Sequence, residues 1–388
     1  MHFDLTPEQQ AFQESVRSFA RAKLAPNALN RAHQREFPWG ELKMMADVGL
    51  LGLTLPESVG GQGAGLMEAV LAIQAVAESC PRSADLVQAG NFGAIRTFAE
   101  YAPEALRNKH LPAILAGEKI MSVAMSEPDA GSAVTELRTS ATERGEHYVL
   151  NGTKIFSTNS PEADAFLVYV RFDEGVSGIG SILVERDTPG LTVGSPSEFM
   201  NGESWCPLYF DDCEVPAENL ILGHGGFKKQ ISGFNVERLG NASRSIAVGR
   251  FAFELAKEYV ATRAQFGRPL MEFQGLQWGF ADMHLMLESA QLLLMRAVER
   301  AEGGIPGADD TALAKLAANQ AGFEVANKAL QMMGGTGFSK ESLAEYCFRR
   351  TRGWQIAGGS TEILKNRIAE GIFDRRFDQR PPRPQQGN

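Results

Sequence analysis

The chain of 388 residues contains no CxxC pair and no HExxH. Its four cysteines, Cys80, Cys206, Cys213 and Cys347, and its six scattered histidines match no zinc-site spacing. No metal is therefore expected, and the thiols read as free, buried groups in a reducing compartment. Basic charge is in deficit, with 38 Lys and Arg against 47 Asp and Glu and a net charge of −9, which argues against a nucleic-acid or anionic-membrane partner. No apolar run is long enough to span a bilayer. The first ten residues, MHFDLTPEQQ, follow neither a signal-peptide nor a transit-peptide pattern, and a cytoplasmic location is expected. No internal repeat and no βαβ rhythm occurs, which disfavours a Rossmann nucleotide fold.

What remains is a chain with 44% hydrophobic and 22% charged residues, the balance of a soluble globular protein. Its length calls for two or three packed domains. Residues from about Thr6 to Ala116 read as helical. Thr6-Pro7-Glu8 offers a capping hydroxyl with proline in the first turn; Phe12, Val16 and Phe19 follow at helical spacing, and then Leu42–Leu51 and Met67–Ala77. The GGQGAG of Gly60–Gly65 follows no strand and reads as a loop rather than a phosphate cradle. The texture changes near Met121. Tyr148–Leu150, Asn151-Gly152 and Thr153–Phe156 predict a hairpin turning at Asn-Gly. Phe166–Arg171, Ser181–Val184 and Leu208–Phe210 predict further strands. From about Phe227 long helical patterns return, including Met283–Val298 and the Ala-rich Leu313–Met333, and antiparallel packing of these predicts a bundle. The fold class is thus α+β. The expected division is an N-terminal helical domain at 1–120, a middle β-barrel domain at 121–226, a C-terminal bundle at 227–374, and a disordered Pro- and Arg-rich tail at 375–388.

Four stretches stand out. They are Met125-Ser126-Glu127-Pro128-Asp129-Ala130-Gly131-Ser132; Lys154-Ile155-Phe156-Ser157-Thr158-Asn159; Arg263-Ala264-Gln265-Phe266-Gly267-Arg268-Pro269-Leu270 followed by Gln274; and Gln331-Met332-Met333-Gly334-Gly335, with WQIAGGSTEI (Trp354–Ile363) behind it. In this order and at these separations they resemble the acyl-CoA dehydrogenase family over nearly the whole chain. The resemblance implies that family's fold: helical domain, β-barrel and four-helix bundle. It also implies bound FAD between the β domain and the bundle, a homotetramer, an acyl-CoA thioester substrate, and an electron-transferring flavoprotein as acceptor.

The resemblance assigns roles residue by residue. Val123, Met125, Ser126, Gly131 and Ser132 would meet the flavin's polar edge, with Ser132 also near the pantetheine. Phe156 stands where many relatives carry Trp and offers an aromatic face to the ring. Ser157 flanks Thr158, which matches the hydroxyl at flavin N5. Arg263, Gln265, Phe266 and Gln274 match the pyrophosphate-holding stretch, where a guanidinium suits bidentate oxyanion contacts. Gln331, Met332, Gly334 and Gly335 match a neighbouring subunit's backbone contact. Ser360, Thr361 and Glu362 match the family's segment beside the cofactor.

In most relatives a glutamate between the aromatic and the glycine of this last stretch removes the thioester's α-proton while the β-hydrogen leaves as hydride to flavin N5. Here that position is Gly358. A glycine keeps the backbone N–H that steadies the enolate oxygen and lacks only the carboxylate. The isovaleryl-CoA and long-chain branches carry the base on the preceding helix, one residue before an arginine, and Glu237-Arg238 fits that pattern. Glu237 is therefore the expected base, with Asn235, Arg238 and Gly359 beside the thioester. The Gly358 departure, together with FGRPLMEFQGLQW and the GIG of Gly178–Gly180, is also similar to the 3-sulfinopropionyl-CoA desulfinase branch, which eliminates sulfite without net oxidation. For that alternative Arg82, near Asp85, is the candidate partner of an acidic acyl end. A flavin monooxygenase on the same fold is a third reading, which the STEI end and the Glu-Arg pair disfavour.

Overall fold

The structure, a computed structural model, describes residues 4–301 and 305–377. Most of the expected tail, and the first three residues of the N-terminal stretch, lie outside the described residues. The N-terminal unit is built from α1 (Pro7–Lys23), α2 (Ala28–His33), α3 (Trp39–Asp47), α4 (Leu66–Ala77), α5 (Ala84–Ala89), α6 (Ala94–Tyr101) and α7 (Glu104–Leu115). Helix α1 starts where Thr6 and Gln9 cap each other: Gln9 N donates to Thr6 Oγ1 at 3.2 Å and Thr6 N to Gln9 Oε1 at 3.1 Å. Such a reciprocal cap satisfies two otherwise orphaned donors.

The middle unit is a nine-stranded sheet. Its strands are β1 (Met121–Ala124), β2 (Ser140–Arg144), β3 (His147–Thr158), β4 (Ala165–Arg171), β5 (Ile179–Glu185), β6 (Leu191–Val193), β7 (Ser197–Glu198), β8 (Ser204–Pro216) and β9 (Leu220–Leu222). The ladder runs β6-β8-β3-β2-β4-β5-β9, with β1 added parallel to β4 and β7 beside β8. The expected barrel is thus an open path, its end strands β6 and β9 not paired to each other. β4 and β5 are buried over nearly their full length. Ala165, Leu167 and Leu183 pack on α6 and α7, while Phe166, Val168, Val170, Ile182 and Val184 fill the other face. A strand covered on both faces reads as a continuous apolar run.

The expected hairpin at Asn151-Gly152 is absent, because β3 runs straight through it. The positive φ of Gly152 (148°) serves a register shift against β8 instead. A Cβ there would stand 2.6 Å from Thr139 Oγ1. Asn151 holds Asp212 across the shift, accepting from its backbone N at 2.9 Å and donating to its carboxylate at 3.1 Å. The turn itself lies between β2 and β3 at Gly145-Glu146, with Gly145 at φ 63°.

The C-terminal unit consists of α8 (Phe227–Thr262), α9 (Gln274–Glu299), α10 (Ala308–Phe338), α11 (Leu343–Trp354) and α12 (Thr361–Phe373). α8 and α10 approach closely at Gly249 and Gly322, where a Cβ on Gly322 would fall 2.4 Å from Ser245 O. One apolar core joins α1, α4, α8, α9, α10 and α11. No helix among the described residues is long and apolar enough to cross a membrane.

Candidate active site

The first half of α8 carries Glu237 beside the start of α6 and Arg238 against the turn between α11 and α12. Glu237 is half-buried there. A Cβ built on Gly93, which precedes α6 at φ 70°, would lie 3.5 Å from Glu237 Oε2, so glycine leaves that side of the carboxylate free of side chain. Burial pushes the Glu237 carboxyl above its ordinary range, and the nearby cations Arg244, Lys315 and Arg238 oppose the rise. Arg238 donates from Nη1 to Asn235 Oδ1 at 3.0 Å and from Nε to Gly358 O at 3.3 Å. A Cβ on Gly359 would come 3.4 Å from Arg238 Nη2. Glu237, Asn235, Arg238, Gly358 and Gly359, chosen from sequence, are therefore brought to one place. Gly358 and Gly359 both have positive φ, 70° and 99°, a region that favours glycine.

A second group of candidates gathers where β1 leads into its loop beside β3. The buried Glu127 organises it. Its carboxylate accepts from Arg138 N at 2.6 Å, Thr139 N at 2.9 Å and Lys154 Nζ at 2.7 Å, and Lys154 donates again to Met125 O at 3.1 Å. Burial would raise this carboxyl, but Lys154 and the two amides outweigh it and hold the pKa below the usual value. Ile155 N donates to Ser126 O at 2.9 Å and Ser122 Oγ to Thr158 O at 2.7 Å. Val123, Met125 and Ser126 are thereby laid alongside Phe156, Ser157 and Thr158. Gly131 and Ser132 lie further along the loop, exposed. Phe156 sits at a register shift with φ 60°, which turns its ring outward. The ring meets Trp205 edge-on at 4.7 Å and Phe199 at 6.0 Å. The buried Ser157 Oγ has no hydrogen-bond partner among the described residues.

The third group stands apart. Arg263 ends α8, and Gln265 and Phe266 occupy a small two-stranded ribbon before Gln274 opens α9. Phe266, at φ 53°, is 94% exposed. Arg263 lies 26 residues along α8 from Glu237, about 39 Å at 1.5 Å per residue. Gln331, Met332, Gly334 and Gly335 lie near the end of α10, which kinks at Gly334 (φ 58°). Ser360 caps α12 with its hydroxyl accepting from Ile363 N at 3.4 Å, and Thr361 N donates to Gln355 O at 3.0 Å. Glu362 is exposed in the first turn.

Arg82 is not brought to Glu237. Its guanidinium donates to the carbonyls of Arg31, at 2.6 Å, and Gln34 at the end of α2, where a cation suits the helix dipole. Its neighbour Asp85 is bound at 2.7 Å by both Arg244 and Arg350, and Arg350 reaches Glu203 of the sheet unit at 2.5 Å. Both guanidiniums lie over the Trp354 ring, 5.1 and 4.8 Å from its centroid. The cluster ties all three units together just before the Gly358 turn.

Sequence reasoning passed over Phe199, Trp205, the Glu127–Lys154 pairing and Lys315. The first three depend on strand register. Lys315 had a legible signal: a charge at a buried helical position of an Ala-rich stretch.

Family models for the N-terminal, middle and C-terminal domains of acyl-CoA dehydrogenase match residues 6–118, 122–213 and 224–373. A 3-sulfinopropanoyl-CoA desulfinase of Variovorax paradoxus is 35% identical, the match covering 97% of each chain. A short-chain specific acyl-CoA dehydrogenase of Clostridium acetobutylicum is 32% identical over 96% of this chain and 100% of that one. The solved butyryl-CoA dehydrogenase of Megasphaera elsdenii superposes with a TM-score of 0.90 at 30% identity, covering 96% of this chain and 100% of that one. With its three domains in that order, the chain belongs to the acyl-CoA dehydrogenase family and is an oxidoreductase-family enzyme.

Proposed function

We propose that the chain is an FAD-dependent acyl-CoA dehydrogenase in which Glu237 removes the α-proton of an acyl-CoA thioester, giving a 2-enoyl-CoA. The observation that carries this reading is the exchange between two positions that Arg238 links. The α11–α12 turn has glycine at 358, and α8 carries a carboxylate of raised pKa, Glu237, next in the chain to Arg238, which donates to Gly358 O. A carboxyl held above its ordinary range is a stronger base once ionised, which suits a weakly acidic C–H. The Gly358 and Gly359 amides donate to no backbone carbonyl among the described residues, and so are free to steady an enolate oxygen. The residues fit FAD: β3 supplies the unpartnered Ser157 hydroxyl, the exposed Thr158 and the out-turned Phe156 ring, and nothing crowds Gly131 in the loop after β1. FAD supplies the acceptor for the β-hydrogen when bound.

The exposed Arg263–Gln274 corner is about 39 Å from Glu237 along α8, too far to join the same flavin-ring site. It therefore serves the cofactor of a neighbouring copy, in keeping with a homotetramer. Trp278, Leu285 and Leu292, spaced by seven on α9 and 64%, 67% and 48% exposed, supply an apolar stripe for that contact. An electron-transferring flavoprotein is the proposed electron acceptor.

The test is anaerobic mixing of the flavin-loaded protein with a panel of straight, branched and dicarboxylic acyl-CoAs. Flavin bleaching is expected with one class. Glu237→Gln is expected to retain FAD and lose bleaching by about 10³-fold, within the usual range for a general base; undiminished bleaching would overturn the assignment. A second reading, sulfite elimination from a sulfinyl thioester, draws support from relatives 33–35% identical that carry the desulfinase name. It is favoured if sulfite appears without bleaching.

A further inference from the structure

Lys315 and Asn319 are four residues apart on α10 and leave the same helix face. That face meets the turn joining α11 to α12. Lys315 Nζ donates to Trp354 O at 3.0 Å and to Gly359 O at 2.9 Å, and Asn319 Nδ2 donates to the same Trp354 carbonyl at 2.6 Å. One ammonium thus spans both ends of the turn. From the α8 side, Arg238 takes the carbonyl of Gly358. The carbonyls of 354, 358 and 359 are held by cations while the Gly358 and Gly359 amides remain uncommitted to backbone. The Lys315 side chain is fully buried, and its Cε lies 3.6 Å from where a Cβ on Gly358 would stand. The lysine stem therefore lies directly beside the 358 position of the turn.

The charged groups that act on Lys315 are Glu237, Arg238 and Arg244, all on α8. The α11–α12 turn presents carbonyls to it. Arg367 of α12 faces Arg238 and is paired with Asp309 of α10 at 2.8 Å.

We propose that Lys315 is a positioning residue for the reaction: its ammonium pins the 354–359 turn, so aiming the Gly358 amide, and its charge holds the Glu237 carboxylate ionised and ready to accept a proton. The proposal rests on Glu237 being the base. Two features follow. Burial and the two arginines bring the Lys315 pKa down to about 7, against the pull of Glu237; the pinned form is present below that value and is lost as pH rises through it. Removing the lysine's charge leaves Glu237 with one cation fewer, so its carboxyl pKa rises further.

The experiment uses flavin-loaded Lys315→Met, Lys315→Gln and Glu237→Gln proteins with an acyl-CoA that bleaches the parent. The bleaching rate is followed against pH. In parallel, the infrared band of the protonated Glu237 carboxyl, identified by its loss in Glu237→Gln, is titrated without substrate. Lys315→Met is expected to keep FAD, to bleach about tenfold more slowly at neutral pH, and to move the Glu237 titration to higher pH by about one unit, the size expected from one neighbouring charge. Its alkaline fall near pH 7 is expected to vanish. Lys315→Gln, which keeps a donor without the charge, is expected to show the same titration shift with a smaller loss of rate. If Lys315→Met does not fold, the Gln variant carries the measurement. An unmoved titration in the folded variants overturns the proposal while leaving Glu237 as the base, provided Glu237→Gln is inactive. Full bleaching by Glu237→Gln overturns both.

Discussion

Glu237 is held in a state that works against folding. Its carboxyl pKa is raised by burial, so the folded state favours the protonated form more than the unfolded chain does. The stabilising side of that linkage is complete below the unfolded carboxyl pKa and is lost as pH rises through the raised folded value. At neutral pH the ionised, desolvated group is therefore a net cost. Glu237→Gln is accordingly expected to melt higher than the parent at pH 7 and to lose that advantage near pH 4. Calorimetry at the two pH values checks this, and an equal difference at both would show that desolvation of the carboxylate is not the cause. If Glu237 is the proposed base, this is stability given up for activity, a common trade. The identity of this residue was legible in sequence only through the absence at 358. That Arg244 and Lys315 act on it was not, because nothing in local spacing says that α8 and α10 bring those cations beside it.

Among the elements, the β1–β3 junction depends on a buried pair drawn from the loop after β1 and from β3. Glu127 is satisfied by two amides as well as Lys154, and removing one partner of such a pair strands the other in a low-dielectric site. Lys154→Met is expected to destabilise the protein by about 3 to 5 kcal/mol and to weaken FAD retention, since Met125 O loses its lysine tether to β3. Glu127→Gln combined with Lys154→Met is expected to recover part of that loss, measured by urea unfolding and by flavin released on dilution. A double variant worse than the sum of the singles would contradict the pairing argument. Both residues lie inside stretches singled out by sequence, yet their 27-residue separation hides the contact. The Asn151-Gly152 misreading has the same root. A positive-φ glycine is a local requirement that a bulge satisfies as well as a turn, and the ladder with β8 decided between them.

For the whole molecule, the Asp85, Arg244, Arg350, Glu203 and Trp354 cluster joins helical, sheet and bundle units just before the Gly358 turn. The bundle also carries the α9 stripe and the distant Arg263 corner. If those faces meet neighbouring copies, Trp278→Glu with Leu285→Glu is expected to lower the oligomeric state in light scattering. The same variant is expected to release FAD, while single chains keep their helical content by circular dichroism. An unchanged molar mass with bound flavin would remove α9 from the interface.

Local chemistry sufficed for much of this protein. Thr6-Pro7 begins a helix because the cap and the fixed φ are local, and the long apolar periods of α8, α9 and α10 mark a bundle because each helix must bury its own stripe. Motif order along the chain identified the family. Tertiary structure alone decided that β3 passes through Asn151-Gly152, that Arg82 turns to the end of α2 instead of toward Glu237, and that Lys315 spans the glycine turn. In each case the deciding partner lies far away in the chain, and only packing brings the two within hydrogen-bond reach.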